Sequence, residues 1–319
     1  MNKKYLSFRT DMADERVDTY KRVHNLSEVD GIKVTSDNKN GIITTIVEVL
    51  NENGEKAVSK KMGKYVTMEI SDMNYLGEKE KEDVKKQVSL VIKELIGDDK
   101  KKSILVVGLG NISVTPDALG PKVVKDIDVT RHLIKFAKEL VEPNTRSVSA
   151  ISPGVLGTTG IETSEIINSI VEKTKPDIIL AIDSLASGSI HRIGNTIQFS
   201  NTGITPGEGV RNKRDEINEE NLGVPVIAVG VPTVVDMATI TNEAIDKMLD
   251  NAKNEMFELS DKGDKKEVIK VFDTLEQDTR YDMIANVLNT QNYIVTPKEV
   301  DNLIESVADI ISSGINLAV

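Results

Sequence analysis

From residue 103 onward the chain alternates short, almost wholly apolar runs with amphipathic stretches, and few architectures accept that pattern. The runs are Ser103-Ile104-Leu105-Val106-Val107-Gly108-Leu109-Gly110, Val148-Ser149-Ala150-Ile151, Asp177-Ile178-Ile179-Leu180-Ala181-Ile182-Asp183 and Val224-Pro225-Val226-Ile227-Ala228-Val229-Gly230-Val231. Each is short and dominated by Val, Ile, Leu and Ala, as strands covered on both faces are. Helices are predicted between and after them, one within 117–140 and others at 161–173, 239–255 and 297–313. Strands that alternate with helices in this way predict an α/β fold: a mixed, mostly parallel sheet with helices on both faces. Thr196-Ile197-Gln198-Phe199-Ser200 alternates in polarity and predicts an edge strand.

Upstream of this core the pattern predicts an N-terminal antiparallel β element. Ile42-Ile43-Thr44-Thr45-Ile46-Val47-Glu48-Val49-Leu50 is rich in β-branched residues and reads as a strand. Asn53-Gly54 follows it, a strong hairpin signal, with return strands expected around Val58 and at Tyr65–Ile70. A helix is predicted over 79–96, because Val84, Val88, Val91, Ile92 and Leu95 share one helical face and Gly97 suits a C-terminal cap. The first ~30 residues are polar with few apolar anchors, which predicts a mobile or loosely docked segment. Residues 250–280 are dense in charge and read as a solvated surface insertion. The organisation expected is one α/β domain, with the β/helix element at about 40–98 and the core at about 103–319.

Composition narrows the function. Of 319 residues, 39% are hydrophobic and 29% charged, an ordinary globular balance. No window offers the ~18 apolar residues of a membrane span, and the N-terminus has no apolar leader region. There are no cysteines, which excludes disulfides, thiolate zinc sites and a cysteine nucleophile, and fits a cytoplasmic protein. A net charge of -11 argues against direct nucleic-acid binding. The three histidines, His24, His132 and His191, lie in distant segments, so no three-histidine metal site is expected.

Ligands of open α/β sheets bind beyond the carboxyl ends of the strands, which selects the loops after Gly110, Ile151, Ile182 and Gly230. Gly108-Leu109-Gly110 lacks the third glycine of a dinucleotide site, since position 113 is Ser113. Asp117 and Asp183 stand where a strand hands over to a loop on the same rim. One such aspartate would read as a helix cap; two converging acids read equally as a pair. Paired carboxyls can share one proton, so that one acts as base toward water while the other polarises a carbonyl. Asp236 follows another strand end and is a candidate supporting acid, whereas Glu162 and Asp126 read as capping or surface groups. Ser184 has no histidine context for a triad.

On longer motifs the chain resembles the germination protease family of spore-forming bacteria. The matching stretches are Gly108-Leu109-Gly110-Asn111 with Thr115-Pro116-Asp117-Ala118-Leu119-Gly120-Pro121, Pro153-Gly154-Val155 with Thr159-Gly160-Ile161-Glu162-Thr163, and Ala181-Ile182-Asp183-Ser184-Leu185-Ala186. Further on come Thr202-Gly203-Ile204 with Pro206-Gly207, Asn212-Lys213-Arg214, Val229-Gly230-Val231-Pro232-Thr233-Val234-Val235-Asp236, and Tyr293 to Asp301. The resemblance implies a fold similar to the hydrogenase-maturation endopeptidases, a homotetramer, and an endopeptidase that degrades small acid-soluble spore proteins in the cytoplasm of the germinating spore. It implies Asp117 and Asp183 as the catalytic pair, with no cofactor; a divalent metal held by the same acids, or a non-enzymatic peptide-binding protein, are the alternatives. It further implies a zymogen that trims its own N-terminus between Asp11 and Met12, leaving 1–11 as propeptide and 12–319 as the peptidase domain. A pocket for the acidic side chain before the cut bond needs a cation or a helix N-terminus; Arg192, Lys213 and Arg214 are the candidates.

Overall fold

In the computed structural model, which describes residues 10–71, 73–207, 214–258, 283–284 and 293–319, the apolar runs lie in one mixed sheet. The strands are β1 (Ile32–Lys39), β2 (Ile42–Val49), β3 (Gly63–Ile70), β4 (Ile104–Gly108), β5 (Val148–Ile151), β6 (Ile178–Ser187), β7 (Thr196–Ser200), β8 (Val226–Asp236) and β9 (Ile294–Val295). Their order is β1-β2-β3-β7-β8-β6-β4-β5, with β9 on β8. The β8-β6-β4-β5 half is parallel, and β1-β2-β3-β7 is antiparallel and joins it through an antiparallel β7–β8 pair. The α/β class is as expected, and the N-terminal β element supplies β1, β2 and β3 of the antiparallel half of the same sheet.

Both faces are covered, and the alternation along each strand says by what. Ile104, Val106, Ile178, Leu180, Ile182, Phe199 and Val229 face a core completed by the helices Glu78–Ile96, Leu119–Lys125 and Val300–Ala318. Leu105, Val107, Ile179 and Ala181 point the other way, onto Ile167 and Val171 of the helix Thr163–Thr174. That second face carries the site.

Several local expectations fail for identifiable reasons. β7 is not an edge strand: β3 and β8 flank it and all five of its residues are buried. Asn53-Gly54 does not turn a hairpin, because the Asn51 side chain accepts from the N–H groups of Asn53 (2.9 Å) and Gly54 (3.1 Å) and caps the helix Glu52–Val58. Val58 is therefore helical, packed against Val47, Val49 and Tyr65. The span 117–140 does contain helix as expected, in two short pieces, Leu119–Lys125 and Arg131–Phe136, after a 3₁₀ turn at Thr115–Asp117. The segment from residue 10 is docked rather than loose. Met12 and Ala13 are fully buried, and the helix Ala13–His24 sets Val17 among Val47, Val49 and Tyr65. Most of the charged stretch expected as an insertion, 259–280, lies outside the described residues. Among the described residues no helix is long and apolar enough to cross a membrane.

Candidate active site

Asp183 lies within β6 rather than at its end. β6 continues to Ser187 because β8 keeps pairing with it, through Asp183↔Gly230 to Ser187↔Val235, with an irregularity between Leu185 and Ala186. β4 stops at Gly108 opposite Ile182, so the Asp183 side chain stands just past the last β4 residue. It is 5% exposed, and one carboxyl oxygen accepts the N–H of Ser184 at 2.9 Å.

Asp117 reaches the same place from the loop after β4, and glycines make the approach feasible. A Cβ on Gly108 would stand 2.1 Å from the Gly120 carbonyl oxygen, so only glycine lets the strand end and the helix Leu119–Lys125 come this close. Gly110 has φ +108, and a Cβ there would meet the Asp117 carbonyl oxygen at 2.0 Å. The loop then closes on itself, with the Asn111 N–H donating to Asp117 Oδ2 at 2.8 Å and the Asp117 N–H to the Val114 carbonyl at 2.8 Å. Asp117 and Asp183 both line one cleft of about 430 Å³.

Their electrostatics differ in degree. Burial pushes the Asp117 carboxyl above the usual carboxylate range, against the opposing pull of the Asn111 N–H. Burial pushes Asp183 well above that range, and the nearby charges of Asp117 and Asp11 push it further, while the Ser184 N–H opposes them. The hydroxyls of Ser184 and Thr233, which also line the cleft, have no hydrogen-bond partner among the described residues.

The N-terminal segment runs into this cleft. Asp11 lines it, donates its N–H to the Ala186 carbonyl at 2.9 Å, and accepts the Ala186 N–H on its own carboxylate at 2.8 Å. Its carbonyl oxygen accepts from Gln198 Nε2 at 3.2 Å, and the Ala13 N–H donates to Gln198 Oε1 at 2.7 Å. Met12 lies between those two contacts, its own N–H on Thr10 Oγ1 at 3.0 Å.

The cations singled out by sequence fare differently. Arg192 is committed to structure, pairing with Asp14 at 2.6 Å, Glu15 at 3.4 Å and Glu69 at 2.9 Å, and it does not line the cleft. Burial alone would lower its pKa, but Asp14, Glu15 and Glu69 outweigh burial and raise it. Glu15 is pushed up by burial, against Arg192, the Thr10 hydroxyl and the Gly188 N–H. Arg214 does line the cleft, 3.4 Å from Glu162, another cleft residue, which the sequence reads as a capping or surface group. Lys213 lies outside the described residues. Asp236, the candidate supporting acid, is also absent from the cleft lining: it accepts the Ala238 N–H at 3.2 Å at the start of the helix Met237–Glu258. Among the described residues no group of three or more His, Cys, Asp or Glu side chains is placed to hold a metal ion.

Sequence reasoning missed Ala186 and Gln198. Ala186 acts through its backbone, which leaves no compositional trace. Gln198 carried a weak signal, an amide at the centre of an otherwise apolar and hydroxyl-bearing strand, which the edge-strand reading turned toward solvent.

Comparison with known proteins points to one family. A family model described as germination protease matches residues 9–263 and 257–319. The germination protease of Clostridium tetani is 47% identical over 98% of this chain and 95% of its own length. That of Clostridium perfringens is 48% identical over 97% and 94%, and that of Bacillus mycoides 41% identical over 98% and 93%. Among solved structures, a [NiFe] hydrogenase maturation protease from Thermococcus kodakarensis aligns with a TM-score of 0.30 at 21% identity, over 45% of this chain and 80% of its own.

Proposed function

The chain belongs to the germination protease family, a spore protease acting on protein, and from that premise we propose that it uses Asp117 and Asp183 as a proton-sharing pair, first on its own N-terminus. The bond cut is Asp11–Met12, and the later substrates are small acid-soluble spore proteins in the cytoplasm of the spore core, cut in the same way after an acidic residue. The working form is a homotetramer, and the reaction needs no cofactor.

One observation carries this reading: Asp11 sits in the cleft that Asp117 and Asp183 line, held by Ala186 on both its backbone and its carboxylate. The acidic side chain before the cut bond is thus met by a backbone N–H, and Arg214 is a candidate cation on the cleft wall. The unequal carboxyl environments divide the labour. Asp183, more strongly disfavoured as an anion, keeps the shared proton and donates a hydrogen bond to the Asp11 carbonyl oxygen. Asp117, ionised, takes a proton from water as the water oxygen adds to the carbonyl carbon. On collapse the C–N bond breaks, the proton held by Asp117 passes to the Met12 nitrogen, and Asp183 keeps its own throughout.

The test is mass spectrometry of the purified full chain, with the Met12 N-terminus as the product, alongside digestion of a small acid-soluble spore protein. Asp117→Asn and Asp183→Asn should each lower both rates by roughly 10²- to 10⁴-fold, with the fold retained by circular dichroism. Wild-type rates in either variant would remove the pair. Activity that disappears on chelation and returns with a divalent ion would reassign the same acids to a metal.

A further inference from the structure

Four positions lie abreast across the sheet. Thr67 on β3 pairs with Gln198 on β7, Gln198 with Gly230 on β8, and Gly230 with Asp183 on β6. Paired residues share a face, so Gln198 and Asp183 point the same way from strands separated only by Gly230, which has no side chain. Asp11 lies against both flanks of this gap. It lines the cleft that holds Asp183 and a second cavity of about 390 Å³ that holds Gln198 and Gly230.

What Gln198 does there is specific. Its Nε2 donates to the carbonyl oxygen of Asp11 and its Oε1 accepts from the N–H of Ala13. The two contacts also settle which end of the amide is which, since the reverse orientation would set NH₂ against N–H and oxygen against oxygen. A side chain thereby copies the pair of hydrogen bonds a neighbouring strand would make to residues 11 and 13, and the Asp11–Met12 peptide bond lies between them. Gln198 is 8% exposed, so its donor acts where water competes little.

We propose that Gln198 is a catalytic residue of the self-trimming reaction: it clamps the chain in register across the Asp11–Met12 bond, and its Nε2–H stabilises the negative charge that develops on the Asp11 carbonyl oxygen as water adds. This rests on the self-trimming reading above. The atoms balance without a further group, because the amide lends a hydrogen bond and transfers no proton.

Gln198→Leu and Gln198→Glu in the full chain test it, with two readouts. Removing one donor to a developing oxyanion costs roughly 10²- to 10³-fold, so Gln198→Leu should form the Met12 terminus that much more slowly. Before trimming begins, its Ala13 amide should exchange hydrogen faster than in wild type. Gln198→Glu keeps the size and the acceptor but loses the donor when ionised. Its trimming rate relative to wild type should therefore rise as pH falls and the carboxyl regains an O–H, a profile that a purely packing role would not produce. If Gln198→Leu does not fold, the Gln198→Glu profile decides. Trimming at the wild-type rate in Gln198→Leu, or a Gln198→Glu profile parallel to wild type, overturns the proposal. Should the wild-type chain never form a Met12 terminus, the self-trimming reading and this catalytic role fall together. Ala13 exchange then reports separately whether Gln198 holds the segment.

Discussion

Asp183 and Asp117 are the same side chain held in unequal surroundings, and the inequality has a consequence for stability that is separate from catalysis. The Asp183 carboxyl is pushed well up by burial and by the charges of Asp117 and Asp11. A carboxyl whose folded pKa exceeds its unfolded value of about 3.9 contributes its stability in the protonated form. That contribution is complete below the unfolded value and is lost as pH rises through the folded one. Asp183→Asn keeps the shape and never ionises. Its melting temperature should therefore match wild type in acid and exceed it increasingly as pH rises toward neutrality, the sign usual for a site that trades stability for function. Thermal unfolding over a pH series checks this; an advantage that shrinks as pH rises would contradict the assigned direction. Arg192 is the counter-case, a cation whose charge is spent within the fold, joining Asp14 and Glu15 of the N-terminal segment to Glu69 of β3.

At the scale of elements, β7 decides the most. Five residues of alternating polarity look like an edge, because a strand with one wet face has that pattern. Here the polar positions Thr196, Gln198 and Ser200 are buried against other protein groups instead. Gln198 meets the N-terminal segment, and Ser200 donates to the Gly203 carbonyl at 3.2 Å. Phe199, on the other face, is fully buried in the main core. Phe199→Ala should accordingly cost about 3–5 kcal/mol in urea denaturation. A loss of about 0.5 kcal/mol or less, the range of surface substitutions, would be inconsistent with an interior strand. The failed hairpin at Asn53-Gly54 has the same origin on a smaller scale: Asn51, two residues earlier, offers the backbone a helix cap, and a local pair signal cannot weigh that competitor.

For the whole molecule, the antiparallel half and the parallel half share one sheet and one apolar cluster that runs from Ile42 to Ala318. The proposed tetramer belongs to this scale. Phe136 and Leu140 are 78% and 72% exposed on the single chain, large apolar groups of the kind that subunit contacts cover. Light scattering of the purified protein should give four times the chain mass, and a stable monomer at micromolar concentration would remove the assembly.

Sequence alone determined the α/β class, the parallel strands and the rim on which the two aspartates lie, because hydrophobic period and glycine-proline loops are written locally. Its family motifs also pointed to the germination protease family. Tertiary structure alone decided that β7 lies inside the sheet, that Arg192 is bound up in ion pairs while Arg214 faces the cleft, and that the segment around Asp11 threads between Ala186 and Gln198. Those outcomes depend on contacts between residues far apart in the chain, 175 positions for Asp11 with Ala186 and 187 for Asp11 with Gln198. Such partners are chosen by burial and hydrogen-bond satisfaction after the chain has closed on itself, and a linear pattern carries no record of them.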